Sequence, residues 1–192
     1  AAALKAADRD GAPVLLALHG SNNTTDLILN ISELTASADK YGNILVAPQG
    51  SVPGASAGTW AWNVPGVTTV PAGTPDDVRF LKALVDKVVT SYCGNRHDVY
   101  ATGWSGGGRM ISAVACTLPG LFAAIAPVVG LRAGVPVKDA SGTWVPDRST
   151  CSPKHGTPVV TFTGTADPIN PAAGGGAAYW QYSAKQALDA WM

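Results

Sequence analysis

The 192-residue chain balances thirteen Lys plus Arg against thirteen Asp plus Glu, with 46% hydrophobic and 14% charged residues. That is about one domain's worth of sequence with enough apolar side chain for a core, which excludes a disordered or strongly charged interaction arm. No basic stripe interleaved with aromatics occurs and no apolar run approaches the roughly 18 residues of a membrane span, so nucleic acid and bilayer are excluded as partners and an uncharged or weakly charged one is expected.

Residues 13–18 form an apolar run that ends at His19-Gly20-Ser21 and reads as a first buried strand. In residues 24–41, Leu27, Ile31, Leu34, Ala38 and Tyr41 recur at helical steps, which predicts one helix with one apolar face, stopped by Gly42. Residues 43–47 predict a second strand. A Gly- and Pro-bearing loop over residues 51–74, holding Trp60 and Trp62, is too long for a plain connector and is expected to cover a site. Thr74-Pro75-Asp76-Asp77 supplies capping groups for a helix whose face is Val78, Leu81, Val85, Val88 and Tyr92. Residues 98–103 predict a strand and residues 106–116 a helix, with only Trp104-Ser105 between them. Residues 122–129 and 158–163 predict two more strands, and residues 177–192 a last helix. Strands alternating with helices imply an α/β fold with a mostly parallel twisted sheet, helices on both faces, and one domain over residues 1–192.

The strand-to-helix junction carries the chemistry. Gly103-Trp104-Ser105-Gly106-Gly107 matches the G-x-S-x-G elbow, in which a sharp turn exposes a nucleophilic hydroxyl above the sheet edge. An incidental serine in a Gly-rich turn is the competing reading, and the strand-helix context weighs against it. The free amides at the start of the following helix face the place where an oxyanion develops, so the Gly106 amide is the first candidate oxyanion donor. His19-Gly20-Ser21, after a neighbouring strand, offers the Ser21 amide as the second; His19 is expected to orient this loop rather than act as a base. Asp167, in Gly164-Thr165-Ala166-Asp167-Pro168 after the last predicted strand, is the candidate acid that would orient an imidazole, against the plainer reading of an Asp-Pro turn. The base is missing: no histidine follows Asp167, and His97 and His155 fall at the wrong ends of their strands. The expectation is an incomplete hydrolase whose histidine lies outside this chain.

Taken in order, Leu18-His19-Gly20, Asp76-Asp77-Val78, the run 99–110 around Ser105, Phe122 to Gly130 and Gly164 to Pro168 resemble the secreted polyhydroxybutyrate depolymerase and feruloyl esterase family over residues 13–192. The resemblance implies an α/β-hydrolase fold, carboxylic ester hydrolysis with Ser105 as nucleophile and Asp167 as acid, no cofactor or metal, and truncation at both ends. It also implies a disulfide between Cys116 and Cys151, with Cys93 left over, and it suggests that Trp60 and Trp62 line a substrate cleft, where indole faces suit sugar rings or phenolic acids. The alternative for both indoles is packing of the loop onto the sheet. Trp104 is expected below the elbow in the core, Asp76 and Asp77 as helix caps, and Tyr179, Trp180, Tyr182 and Trp191 as core or interface aromatics on the last helix. The cysteines, 22 Gly and 14 Pro suit a secreted enzyme. Two rival functions stay open: acyl transfer by the same fold, and a non-catalytic carbohydrate- or polyester-binding protein that kept the elbow without its base.

Overall fold

The computed structural model describes residues 11–151 and 156–192; His155 lies outside them. Four parallel strands form the main sheet: β1 (Ala12–Leu18), β2 (Ile44–Val46), β5 (Gly94–Trp104) and β6 (Ala124–Val128), in the order β2-β1-β5-β6. Leu16 stands between Val46 and Ala101, and Trp104 stands beside Val128. The chain leaves β1 toward β2 and returns on the other side as β5. The point where the direction reverses therefore lies between β1 and β5, the place where open α/β sheets form crevices at their carboxyl ends.

Period-two alternation buries one face of the sheet. Val14, Leu16, Leu18, Val99, Ala101 and Ile125 point into a single core with Leu81, Val85 and Val88 of α3 (Asp77–Ser91) and Met110, Ile111 and Val114 of α4 (Gly106–Thr117). Each such Leu, Val or Ile contributes about 1.5–3 kcal/mol by leaving water. The opposite face of β5 and β6 is more open, and Tyr100 is 38% exposed.

Residues 158–162 extend the sheet beyond β6, in parallel, as two isolated bridges, Ile125 with Val159 and Val128 with Phe162. Ile125 N donates to Pro158 O and Val129 N to Phe162 O, at 3.0 and 2.8 Å. The rung between them belongs to Pro127, which has no N–H, so the predicted strand is reduced to its two ends.

Four other expectations need correction. The single helix over residues 24–41 is two, α1 (Thr25–Ser32) and α2 (Leu34–Tyr41), because Glu33 sits at φ 51°, a left-handed conformation that interrupts the turn. The break resets the phase: Ile28 and Ala38 are buried, while Leu27, Ile31 and Tyr41 are exposed. Tyr92 is exposed because α3 ends at Ser91. The last helix, α5 (Ala184–Trp191), starts seven residues later than the pattern suggested, at a capping box between Ser183 and Gln186. Before it, Trp180 and Tyr182 are buried in irregular chain, with Trp180 Nε1 donating to Pro171 O. The long loop after β2 is not bare either. It holds a short antiparallel pair, β3 (Val52–Pro53) with β4 (Trp60–Ala61), and a second hairpin, β7 (Pro136–Lys138) with β8 (Trp144–Pro146), lies between β6 and the 158–162 segment. A disulfide joins Cys116 at the end of α4 to Cys151, and Cys93 is a free, exposed thiol.

Candidate active site

Between β5 and α4, Ser105 takes φ 51° and ψ −108°, a strained conformation for a residue with a side chain. The surroundings hold it there: Ser105 N donates to Val128 O and Arg109 N to Ser105 O, both at 2.9 Å. The turn fits only because the next helix can press against the end of β1. A Cβ at Gly107 would collide with the Leu18 carbonyl oxygen and come within 2.7 Å of that of His19.

That close approach brings β1's trailing loop to the helix start. A Cβ on Gly106 would overlap Ser21 Oγ and lie 2.8 Å from Ser21 N, so the Ser21 and Gly106 backbones are immediate neighbours. Among the described residues, neither amide donates to a backbone carbonyl or a side chain. Two unpaired N–H groups beside a strained serine at a helix N-terminus are what an oxyanion site requires.

His19 fixes this loop. Its side chain is fully buried; Nδ1 donates to Gly20 O at 2.7 Å, and Nε2 accepts from Gly50 N at 3.0 Å and Gln49 Nε2 at 2.6 Å. A carbonyl can only accept, which sets the Nδ1–H tautomer and leaves no nitrogen free for proton transfer. Burial pushes the imidazole's pKa below its ordinary value, outweighing the opposing pull of the Gly20 carbonyl bond and the Asp77 charge. His97 is exposed at the amino-terminal end of β5, away from Ser105. No imidazole among the described residues stands ready as a base.

Asp167 lies on the same sheet rim as Ser105. Trp104, Val128 and Phe162 are abreast on successive strands, with Ser105 one residue beyond the first and Asp167 five beyond the last. Two strand spacings put these strand ends roughly 10 Å apart. Asp167 Oδ1 accepts from Ile169 N and Asn170 N at 2.8 and 2.9 Å, so this residue does initiate the Asp-Pro turn. Its other oxygen has no partner among the described residues.

The indoles separate in a way the sequence did not foresee. Trp62, expected at a substrate cleft, is 1% exposed; its Nε1 donates to His19 O at 2.8 Å and its ring packs on the His19 imidazole at 5.0 Å. It is a buried support of the His19–Ser21 loop, because the chain just past β4 turns this side chain under that loop rather than over it. Trp104, expected in the core, is 37% exposed and lies over Gly20, since alternation along β5 sends Ala101 and Gly103 inward and Trp104 to the other face. Trp60 is half-buried and its backbone exchanges two hydrogen bonds with Asn23, two residues past Ser21. Asp76 caps α3 through Val78 N and Arg79 N, but Asp77 does not: its carboxylate is buried and clamps the loop by accepting from Asn63 N at 2.8 Å.

Arg109 was not anticipated. It is 6% exposed, donates through Nη2 to Ser21 Oγ at 3.4 Å and through Nη1 to Asn170 Oδ1 at 3.3 Å, and lies 4.5 Å over the Tyr179 ring. It thereby ties the loop after β1, helix α4 and the turn that follows Asp167. A lone charge immediately before the run Met110 to Cys116 was the available signal. Arg109 and Arg132 also border a pocket of about 340 Å³ along α4, which neither Ser105 nor Asp167 lines. Arg132 is buried between the Trp180 and Tyr182 rings, and burial lowers its pKa to about 10.

The family model for esterase PHB depolymerases matches residues 3–151. The chain is 30% identical over 165 residues to a putative esterase NocK from Nocardia uniformis subsp. tsuyamanensis, covering 86% of this chain and 43% of that protein. It is 32% identical over 139 residues to feruloyl esterase B from Neurospora crassa, covering 72% and 46% respectively. The chain thus spans less than half the length of these two relatives. Its structure is similar to that of the Bacillus cereus carboxylesterase, with a TM-score of 0.56 at 19% identity over 86% of this chain and 72% of that one, a likeness that establishes the α/β-hydrolase fold.

Proposed function

The chain belongs to the esterase PHB depolymerase family, and from that membership we propose that it is the nucleophile-bearing part of a serine esterase. The observation that carries the reading is Ser105 at φ 51° between a parallel strand and a helix, with the unpaired Ser21 and Gly106 amides beside it. Ser105 Oγ attacks the ester carbonyl carbon while its proton passes to an imidazole from outside the described residues, oriented by Asp167. The oxyanion is held by the two amides. The intermediate collapses, the alcohol leaves with that proton, and water then releases the carboxylic acid and regenerates Ser105.

The substrates proposed are feruloyl or acetyl esters of plant polysaccharide, or a hydroxyalkanoate polyester, with Trp60 and Trp104 as aromatic faces near the oxyanion loop. The names of the matched relatives, a feruloyl esterase and acetylxylan esterases, support the first class and the family's own description the second. Work outside the cell is the proposed setting, supported by the Cys116–Cys151 disulfide. Turnover of a short-chain p-nitrophenyl ester by the full-length protein and its Ser105→Ala variant tests this reading. Loss of the nucleophile removes on the order of a million-fold in kcat; equal rates for the two proteins reject Ser105 and leave the non-catalytic binding reading.

A further inference from the structure

We infer that the side-chain hydroxyl of Ser21, polarised by the buried guanidinium of Arg109, is a third hydrogen-bond donor to the oxyanion. The inference rests on the esterase reading above. Ser21 Oγ occupies the space a Cβ of Gly106 would need, so the hydroxyl lies at the helix N-terminus next to the two candidate amides. Its contact with Arg109 Nη2 has only one possible polarity, because a guanidinium has no acceptor. The hydroxyl oxygen therefore accepts, and its proton remains available. Among the described residues that proton has no acceptor, although the side chain is half-buried.

Arg109 itself is held for this task. Asn170 Oδ1 and the Tyr179 ring fix the guanidinium from the other side, and no carboxylate lies within ion-pair distance of it among the described residues. A buried cation without a counter-ion is costly in the resting enzyme, and the cost falls when negative charge develops nearby. Ester attack creates that charge beside Ser21. The hydroxyl then donates a charge-assisted O–H···O⁻ bond, shorter and stronger than any it makes to a neutral ester oxygen, so its benefit is concentrated in the transition state. Arg109 touches no reacting atom and is a positioning residue.

The test uses the full-length protein, reading kcat, KM and the rate of Ser105 phosphonylation for Ser21→Ala, Ser21→Thr, Arg109→Met and the Ser21→Ala/Arg109→Met pair. Ser21→Ala keeps the amide and removes the hydroxyl; kcat and the phosphonylation rate are expected to fall about 100-fold with KM nearly unchanged, and Ser21→Thr to recover most of the loss. Arg109→Met is expected to lower kcat by roughly 10-fold alone and to add little in the Ser21→Ala background, the signature of acting through the hydroxyl. Arg109→Gln, which also removes the charge, replaces it where the Met variant fails to fold. Wild-type kcat in Ser21→Ala, or an Arg109 effect of equal size in both backgrounds, overturns the inference while leaving the esterase reading intact. A wild-type enzyme with neither turnover nor a labelled Ser105 brings down both.

Discussion

Truncating Trp62 separates a packing role from a ligand-binding one. The indole is 1% exposed, packs on His19 and donates to the His19 carbonyl at 2.8 Å, so Trp62→Ala opens a large cavity under the His19–Ser21 loop and leaves that carbonyl unpaired. Removing a buried tryptophan costs about 3–5 kcal/mol, which for a chain of this size lowers the thermal midpoint by about 6–20 °C. Trp62→Phe keeps most of the packing and loses chiefly the indole hydrogen bond, worth about 1 kcal/mol. Thermal unfolding followed by circular dichroism gives the midpoints, and ester kinetics below the transition give kcat and KM. The packing account expects graded destabilisation, Phe mild and Ala severe, with activity lost through kcat because the Ser21 amide loses its support. A Trp62→Ala protein with an unchanged midpoint and a raised KM would show that the indole meets substrate instead.

Three further outcomes follow from the same geometry. His19 is neutral in the folded state with its pKa held below the ordinary value of 6.5, so the unfolded chain takes up a proton first as pH falls. Its contribution is complete above pH 6.5 and declines as pH drops below it, at up to about 1.4 kcal/mol per unit; urea titrations across pH 4.5–8 should show this limb and His19→Asn should remove it. The Cys116–Cys151 bridge closes a loop with a sequence separation of 35. Loop entropy assigns such a bridge about 4 kcal/mol, so Cys116→Ser/Cys151→Ser should unfold about 8–16 °C lower while Cys93→Ser unfolds with the wild type. Gly107→Ala drives a methyl into the Leu18 and His19 carbonyls, and calorimetry should register a loss of about 1–3 kcal/mol together with reduced kcat.

The elbow was legible because its requirements are written in residue types: small residues where backbones converge, a hydroxyl at the bend and an apolar run on either side. Strand β1 and helix α3 were legible for the same reason, through periodicity and the Asp76 cap. Features set by direction rather than composition were not. Glu33 breaks a helix whose apolar spacing runs straight through it, and the capping box at Ser183 fixes the true start of α5. Trp62 and Trp104 exchange their expected places because side-chain direction in a loop, and the choice of sheet face after a strand, depend on tertiary packing. Arg109 links Ser21 to Asn170 across 149 residues of chain; its lone charge before the run Met110 to Cys116 hints at burial, but nothing local names its partners.

If Ser105, held at the bend between β5 and α4, is an activated nucleophile, it reacts with electrophiles that mimic an ester. Treating the full-length protein with a fluorophosphonate and mapping the adduct by peptide mass spectrometry tests it most directly. One covalent adduct is expected, on Ser105, absent from Ser105→Ala and matched by loss of ester turnover. An unmodified Ser105 in an enzyme that still cleaves esters, or an adduct on another residue, contradicts it.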